Sequence, residues 1–311
     1  MARIHVAGNT VLDVVVPGVP LASLGADSWG ANVQLLREPV TAVLGGCGAA
    51  PAYLLARLGH AVSLSTNLGT DTFGSLLTGW LRDAGVGLEP LPVVGTASAT
   101  HVMHISGSAR QSSYYRGGPV DWEAGLPADP PDWFIASGHG AVSAADLNQL
   151  TTVCAGLRRN GVRVLFDPSP WFAGRVDRAE MLRMWSVVDV LSATQEELAC
   201  WLPDIDDAAG LATAGVSAGP SLVVVKRGPE GATWATAQDQ GEVTTRVVQG
   251  NSVGAGDSFN ARLVDALCHS RSPDEAVTAA VETATKVVEA GRGVLGLYPR
   301  YQDRGEGDID V

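Results

Sequence analysis

Lysine is nearly missing from this chain: only Lys226 and Lys286 occur in 311 residues. Neither follows a glycine-rich P-loop, so Walker-type phosphate binding is excluded. Cysteine is scarce as well. Cys47, Cys154, Cys200 and Cys268 are dispersed and form no C-x-x-C pair. That excludes a disulfide framework or a Cys-based zinc site and points to free thiols in a reducing compartment. No apolar run reaches membrane-spanning length. The segment Arg3-Ile4-His5-Val6-Ala7-Gly8 reads as a first strand entering a turn rather than as a signal sequence, so a cytoplasmic protein is expected. Positive charge is short overall. A net charge of −12 leaves no basic footprint for nucleic acid, although a small anionic substrate needs only local cations. Aromatic residues are scattered and form no stacking stripe.

What is present is a globular composition, 46% hydrophobic and 17% charged, on a chain long enough for a large core. From about residue 130 to 290, short β-like runs alternate with helical stretches. Phe134-Ile135-Ala136 precedes a helix near Ala144–Arg159. Val162–Phe166, Val187–Leu191 and Leu222–Val225 are near-continuously apolar, the mark of parallel strands covered on both faces. This alternation implies an α/β fold with a doubly wound, mostly parallel sheet flanked by helices. Ligands bind such sheets at the carboxyl ends of strands, where Asp167, Thr194 and Lys226 fall. Two stretches break the alternation: Val11–Val16 with Val33–Leu44, and Thr96–Ile105 with Gln111–Arg116, joined by the turn Ser106-Gly107-Ser108. They read as a small antiparallel β lid, built from segments of about 11–44 and 96–118 inserted into a single domain spanning 1–311. The tail after Tyr301 is acidic and expected to fray.

The most informative residues are Gly254-Ala255-Gly256-Asp257. They follow a strand-like run, Thr244–Val248, and open a helix expected over Ser258–Leu267. A helix start leaves backbone N–H groups without partners and carries the positive end of the macrodipole. Gly and Ala let a bulky anion approach that backbone, so the turn suits a phosphate. Asp257 beside it would repel an anion, and reads as a base for a substrate hydroxyl. The simpler reading is a glycine-rich turn whose Asp steadies the first helical turn. An anion cradle with an adjacent base is what phosphoryl transfer to an alcohol requires.

A second cluster, Gly45-Gly46-Cys47-Gly48-Ala49-Ala50, opens a helix through Gly59. Its G-x-G spacing lacks the third glycine of a dinucleotide fingerprint, since position 51 is Pro, and no acid follows about twenty residues on. A diglycine approached by a polyhydroxyl ligand suits it better; helix–strand packing is the simpler account. Gly250-Asn251-Ser252-Val253-Gly254 matches the G-x-S-x-G nucleophile elbow. The only downstream histidine, His269, lies on the helix that carries Asp257 and cannot fold back onto Ser252, which argues against a hydrolase. His101 and His104 fall on opposite faces of a strand and read as lid surface rather than metal ligands. Asp83, Asp206 and Asp207 read as solvated charges.

Taken in order, these segments resemble the ribokinase family, also called the phosphofructokinase-B family of carbohydrate kinases, over nearly the full length. Gly8-Asn9 through Asp13 is similar to the family's first strand and substrate-binding acid. Gly45 to Ala50, ending in Ala56-Arg57-Leu58-Gly59, resembles its N-terminal signature. Asn67-Leu68-Gly69-Thr70-Asp71-Thr72-Phe73-Gly74 resembles its G-x-D-x-F-G segment. Gly254-Ala255-Gly256-Asp257-Ser258-Phe259 resembles its C-terminal signature.

The resemblance implies ATP and Mg²⁺, with transfer of the γ-phosphoryl group to a hydroxyl of a sugar or sugar acid. It assigns Asp257 as the base and the N–H groups of Gly254, Ala255 and Gly256 as the anion hole. Asp13, Gly45, Gly46, Ala50, Tyr114, Arg116 and Asp167 would meet the sugar. Thr194, Lys226, Gly228 and Gly231 would meet the nucleotide, and Glu197 the metal. A homodimer through the lid is the family default. Several departures stand out. The family's Asn-x-x-Glu reads Thr194-Gln195-Glu196-Glu197, and Ala50 replaces a frequent sugar-binding Asn. Asn251 replaces the Asp associated with a monovalent-cation (K⁺) site. Tyr114-Tyr115-Arg116 is similar to 2-keto-3-deoxygluconate kinases, whose second carboxylate-binding arginine would align near Trp171. The alternatives are a nucleoside kinase of the same fold, with Trp171 or a lid tyrosine stacked on the base, and a non-catalytic sugar-binding protein. The presence of Asp257 argues against the latter.

Overall fold

The computed structural model describes residues 1–18, 36–88, 97–106, 109–123, 125–141 and 143–298. The chain opens with β1 (Arg3–Ala7), β2 (Val11–Pro17), β3 (Thr41–Gly45), α1 (Ala49–Arg57), β4 (Ala61–Ser65) and α2 (Thr72–Ala84). The pair β5 (Ala99–Ser106) and β6 (Ala109–Tyr115) follows. Then come β7 (Trp133–Ser137), α3 (Ala144–Arg159), β8 (Arg163–Asp167), α4 (Arg178–Trp185) and β9 (Val190–Thr194). The remainder is α5 (Gln195–Ala199), α6 (Ala208–Ser217), β10 (Leu222–Lys226), β11 (Ala232–Ala235), β12 (Gln240–Val243), α7 (Ala255–Cys268) and α8 (Pro273–Ala290).

The larger sheet has the order β12-β11-β10-β9-β8-β7-β1-β4. Its strands from β10 to β4 run parallel, and β11 and β12 return antiparallel at one edge. Alternate residues of each strand enter opposite layers, which is why these strands are apolar throughout. Ile4 and Val6 pack in one core with Leu54, Leu77 and Phe259, whereas Ala7 joins Phe134, Phe166 and Trp185 in the other. Strand order reverses beside β1, so the crevice at the carboxyl ends of β1 and β7 is the natural ligand site. No helix of the described residues is long and apolar enough to cross a membrane.

The smaller sheet has the order β3-β2-β5-β6. Its outer pairs are antiparallel, and the central seam joins β2 to β5 in parallel. The expected strand over Val33–Leu44 is seen only as β3. Residues 19–35, Thr96, Gly107, Ser108 and the tail lie outside the described residues.

Two expectations near the C-terminal signature are corrected. Thr244–Val248 is not a strand: β12 ends at Val243, and Val247 is 83% exposed. β-branched residues suggest a strand, but β12 is the edge, so the chain beyond it has no ladder to join. It crosses α8 instead, with Thr245 Oγ1 2.7 Å from Thr285 Oγ1. The following helix begins at Ala255 rather than Ser258, which puts Asp257 inside its first turn.

His5 is buried at the centre of β1, stacked on Phe134 at 5.8 Å between ring centroids. Its Nδ1 and Nε2 meet the hydroxyls of Ser63 and Ser65 at 2.7 and 2.8 Å, partners that suit a neutral ring with one donor and one acceptor. Burial lowers its pKa from 6.5 to about 4. A histidine depressed on folding contributes stability that is complete above its unfolded pKa. That contribution is lost as pH falls from 6.5 towards 4, by about 3 kcal/mol. Urea unfolding of the wild type and His5→Asn across this range should show a shallower pH slope in the variant. Parallel slopes would contradict the assignment.

Candidate active site

A cavity of about 710 Å³ lies at the carboxyl edge of the larger sheet. One wall is the start of α7. Gly254 precedes the helix with φ of 76°, a left-handed conformation in which a side chain would be strained. Of the three expected cradle donors, Ala255 is already used: its N–H donates to the Ser252 carbonyl at 3.1 Å. Gly256 and Asp257 line the cavity in the first turn, where N–H groups have no carbonyl one turn back.

Lys226, at the end of β10, faces that turn. A Cβ on Gly256 would lie 4.0 Å from its Nζ. The ammonium is nearly buried and donates to Asp167 Oδ1 at 3.0 Å. Asp167 Oδ2 accepts from Asn260 Nδ2 at 2.6 Å, and Ser192 donates to Asn260 Oδ1 at 2.6 Å. Asp167, expected to meet the sugar, thus has both oxygens engaged by protein and orients Lys226. Burial works against the Lys226 charge, yet the carboxylates of Asp167, Glu197 and Asp257 hold its pKa above the ordinary value.

Thr194 and Glu197 form a reciprocal cap on α5. The Thr194 N–H donates to Glu197 Oε2 at 2.8 Å, and the Glu197 N–H donates to Thr194 Oγ1 at 3.2 Å. A hydroxyl therefore does the capping at the position where the family motif carries Asn. Glu197 Oε1 lies 3.5 Å from His139 Nε2. Burial opposes ionisation of Glu197, but the His139 hydrogen bond and the Lys226 charge hold its carboxyl below the usual range. His139 has no counterpart in the sequence reading. Gly228 and Gly231 line the same cavity, which ends on Val281, Thr285 and Val288 of α8.

The smaller sheet meets this cavity through Arg110, whereas Asp13, Gly45, Gly46, Tyr114 and Arg116 are not part of its lining. Asp13, His101 and Tyr114 are direct partners across β2, β5 and β6, so they share one face. His101 Nδ1 sits 3.2 Å from Asp13 Oδ1, which corrects its reading as lid surface. The turn bearing Gly45 and Gly46 folds tightly against this carboxylate: a Cβ on Gly45 would lie 1.9 Å from Asp13 Oδ2. Asn9 ties the parts together. Its side chain accepts from the Cys47 N–H at 2.9 Å and donates to the Tyr114 hydroxyl at 3.1 Å. Tyr114 meets Trp171 edge-to-face at 5.4 Å.

Ala50, expected to touch the acceptor, is instead fully buried in the core on α1, beyond reach of a ligand. Arg116 is half-buried at the end of β6, where Asn67 Nδ2 grips its carbonyl at 3.1 Å. Arg110, two residue pairs along the Tyr114 face, lines the cavity beside Lys226 and Asp257. It makes no salt bridge among the described residues. Nothing in the spacing of the sequence singled it out.

A mostly parallel sheet with a glycine-led helix start, a nearly buried lysine and a carboxylate at its carboxyl edge, beside a small second sheet, is the architecture of a ribokinase-like kinase. Residues 24–295 match the pfkB family carbohydrate kinase model, and the chain belongs to that family. It is thus a kinase that phosphorylates sugars at the expense of ATP. It is 26% identical to the 2-dehydro-3-deoxygluconokinase of Bacillus subtilis (strain 168), covering 93% of each chain. It is 30% identical to a fructokinase of Rhizobium leguminosarum bv. trifolii, over 70% of this chain and 69% of that one. A Cryptococcus neoformans var. grubii ribokinase, solved with ADP, shares the fold at a TM-score of 0.72 and 18% identity, over 95% and 96% of the chains.

Proposed function

We propose that this chain transfers the γ-phosphoryl group of ATP to a hydroxyl of a sugar or sugar acid, with Asp257 as the general base. What supports this most is the position of Asp257, in the first turn of α7, on the cavity that also receives Lys226. In this reading the acceptor sits between Asp257 and Asp13, with Gly45, Gly46, Tyr114 and Arg116 around it. Asp257 accepts the hydroxyl proton as the oxygen attacks the γ-phosphorus, and the bond to the β–γ bridging oxygen breaks to release ADP. The N–H groups of Gly254 and Gly256 and the Lys226 ammonium take up charge on the transferred group. Arg110 adds a second cation from the opposite wall. The nucleotide extends past Thr194, Gly228 and Gly231 towards α8.

Among the described residues no three His, Cys, Asp or Glu side chains form a metal cluster. Glu197, a carboxylate on the cavity held below its usual pKa, is the residue that would hold Mg²⁺, which takes one or two carboxylates and completes its shell with phosphates and water. Bound there, Mg²⁺ would neutralise phosphate charge. A K⁺ site does not fit. Asn251 spends its side-chain oxygen on the Val253 N–H at 3.1 Å and buries an Nδ2 donor that has no partner among the described residues, where a cation requires oxygens.

The whole of 1–311 is one kinase domain in this reading. Its smaller sheet acts as a lid that excludes water before transfer and pairs two copies into a cytoplasmic homodimer.

ADP release with ATP, Mg²⁺ and a panel of ribose, fructose and 2-dehydro-3-deoxygluconate tests the activity. Release unaffected by every sugar would overturn it. If Arg116 clamps a carboxylate, Arg116→Ala raises KM for the sugar acid roughly tenfold or more and leaves neutral sugars unchanged. Equal effects on both would dispose of the clamp.

A further inference from the structure

We infer that His101 is a positioning residue of the acceptor site, fixing the Asp13 carboxylate in the orientation that receives a sugar hydroxyl. The inference rests on the kinase reading above. Asp13 is nearly buried, and a buried carboxylate needs hydrogen-bonded partners to persist. Among the described residues, His101 is the side chain that bonds it, at 3.2 Å. In the inferred pairing Asp13 is ionised and accepts, and Nδ1 of His101 donates.

His101 is itself held. The two residues are register partners across the parallel β2–β5 seam, so their separation is set by backbone pairing. On its other side the ring packs edge-on against Tyr114 at 5.9 Å, and Tyr114 is braced by Asn9 and Trp171. A braced imidazole thus holds Oδ1 of Asp13, and Gly45 leaves room for Oδ2 where any side chain would clash. Burial raises the Asp13 pKa, His101 opposes that, and the charge of Asp257 across the cleft adds to it. The Tyr114 phenol is the other titratable neighbour, and Val43 and Gly45 on β3 bring no charge.

Steady-state kinetics of His101→Ala and His101→Asn test this, with the panel sugar that the wild type uses best. Asn carries an amide N–H close to where Nδ1 sits. His101→Ala is expected to raise the sugar KM about ten- to a hundredfold, the scale of a hydrogen bond to a charged group, with ATP KM unchanged. His101→Asn should recover most of the loss. An unchanged sugar KM in His101→Ala, or equal loss in both variants, overturns the role. Proton–nitrogen NMR of histidine-labelled, ligand-free protein gives a reading independent of turnover. A hydrogen-bonded Nδ1–H signal of His101 should vanish in Asp13→Ala. Its persistence would refute the pairing even if no panel sugar were phosphorylated, which keeps the two failures distinct.

Discussion

Asp257→Asn should lower kcat by roughly two to four orders of magnitude, the scale of a positioned general base. The substitution is isosteric and keeps the first turn of α7, so the backbone donors and Lys226 remain in place. ATP affinity should change little, because the side chain serves the acceptor hydroxyl rather than the polyphosphate. Stability should be equal within error, which separates lost chemistry from lost fold. The simpler alternative, an Asp that only steadies the helix start, predicts the reverse: a small loss of stability with turnover intact. Measuring kcat, ATP KM and the urea midpoint of one variant therefore decides between them.

The second large effect is on the fold. Lys226 and Asp167 form a buried ion pair at 3.0 Å, and removing one partner strands the other charge. Lys226→Met should cost about 3–5 kcal/mol of stability, as breaking a buried pair does. It should also remove activity, since the ammonium faces the Gly256 turn. Lys226→Met combined with Asp167→Leu should be less destabilised than the sum of the single changes, because no unpaired charge then remains. Denaturant unfolding checks both statements. A loss under about 1 kcal/mol for Lys226→Met would mean that Asp167 is satisfied by Asn260 and solvent alone.

β7, β8, β9 and β10 were legible because they are apolar on both faces and end on a polar residue, although β9 begins at Val190, so the expected Val187–Asp189 lies outside it. Asp167, Thr194 and Lys226 do fall at the carboxyl ends of β8, β9 and β10. The helix start that carries Asp257 was legible because a glycine-rich turn into a helix has a local signature. What the sequence hid depends on distant pairing. Asp13 and His101 are 88 residues apart, and only the register of β2 on β5 brings them together. His139 meets Glu197 because the carboxyl ends of β7, β8 and β9 converge at one edge. Arg110 reaches the cavity because strand alternation sets it on the Tyr114 face. Thr244–Val248 misled for the opposite reason. Its composition favours a strand, but pairing with a neighbour decides, and the sheet ends at β12.

Phosphorus NMR of reaction mixtures containing ATP, Mg²⁺ and each panel sugar reads transfer to the sugar hydroxyl and its dependence on Asp257 in one measurement. A new phosphomonoester signal, its phosphorus joined through oxygen to a sugar carbon, should grow with ADP and be nearly abolished by Asp257→Asn. Inorganic phosphate as the sole product with every sugar, or an undiminished ester signal from Asp257→Asn, would contradict it.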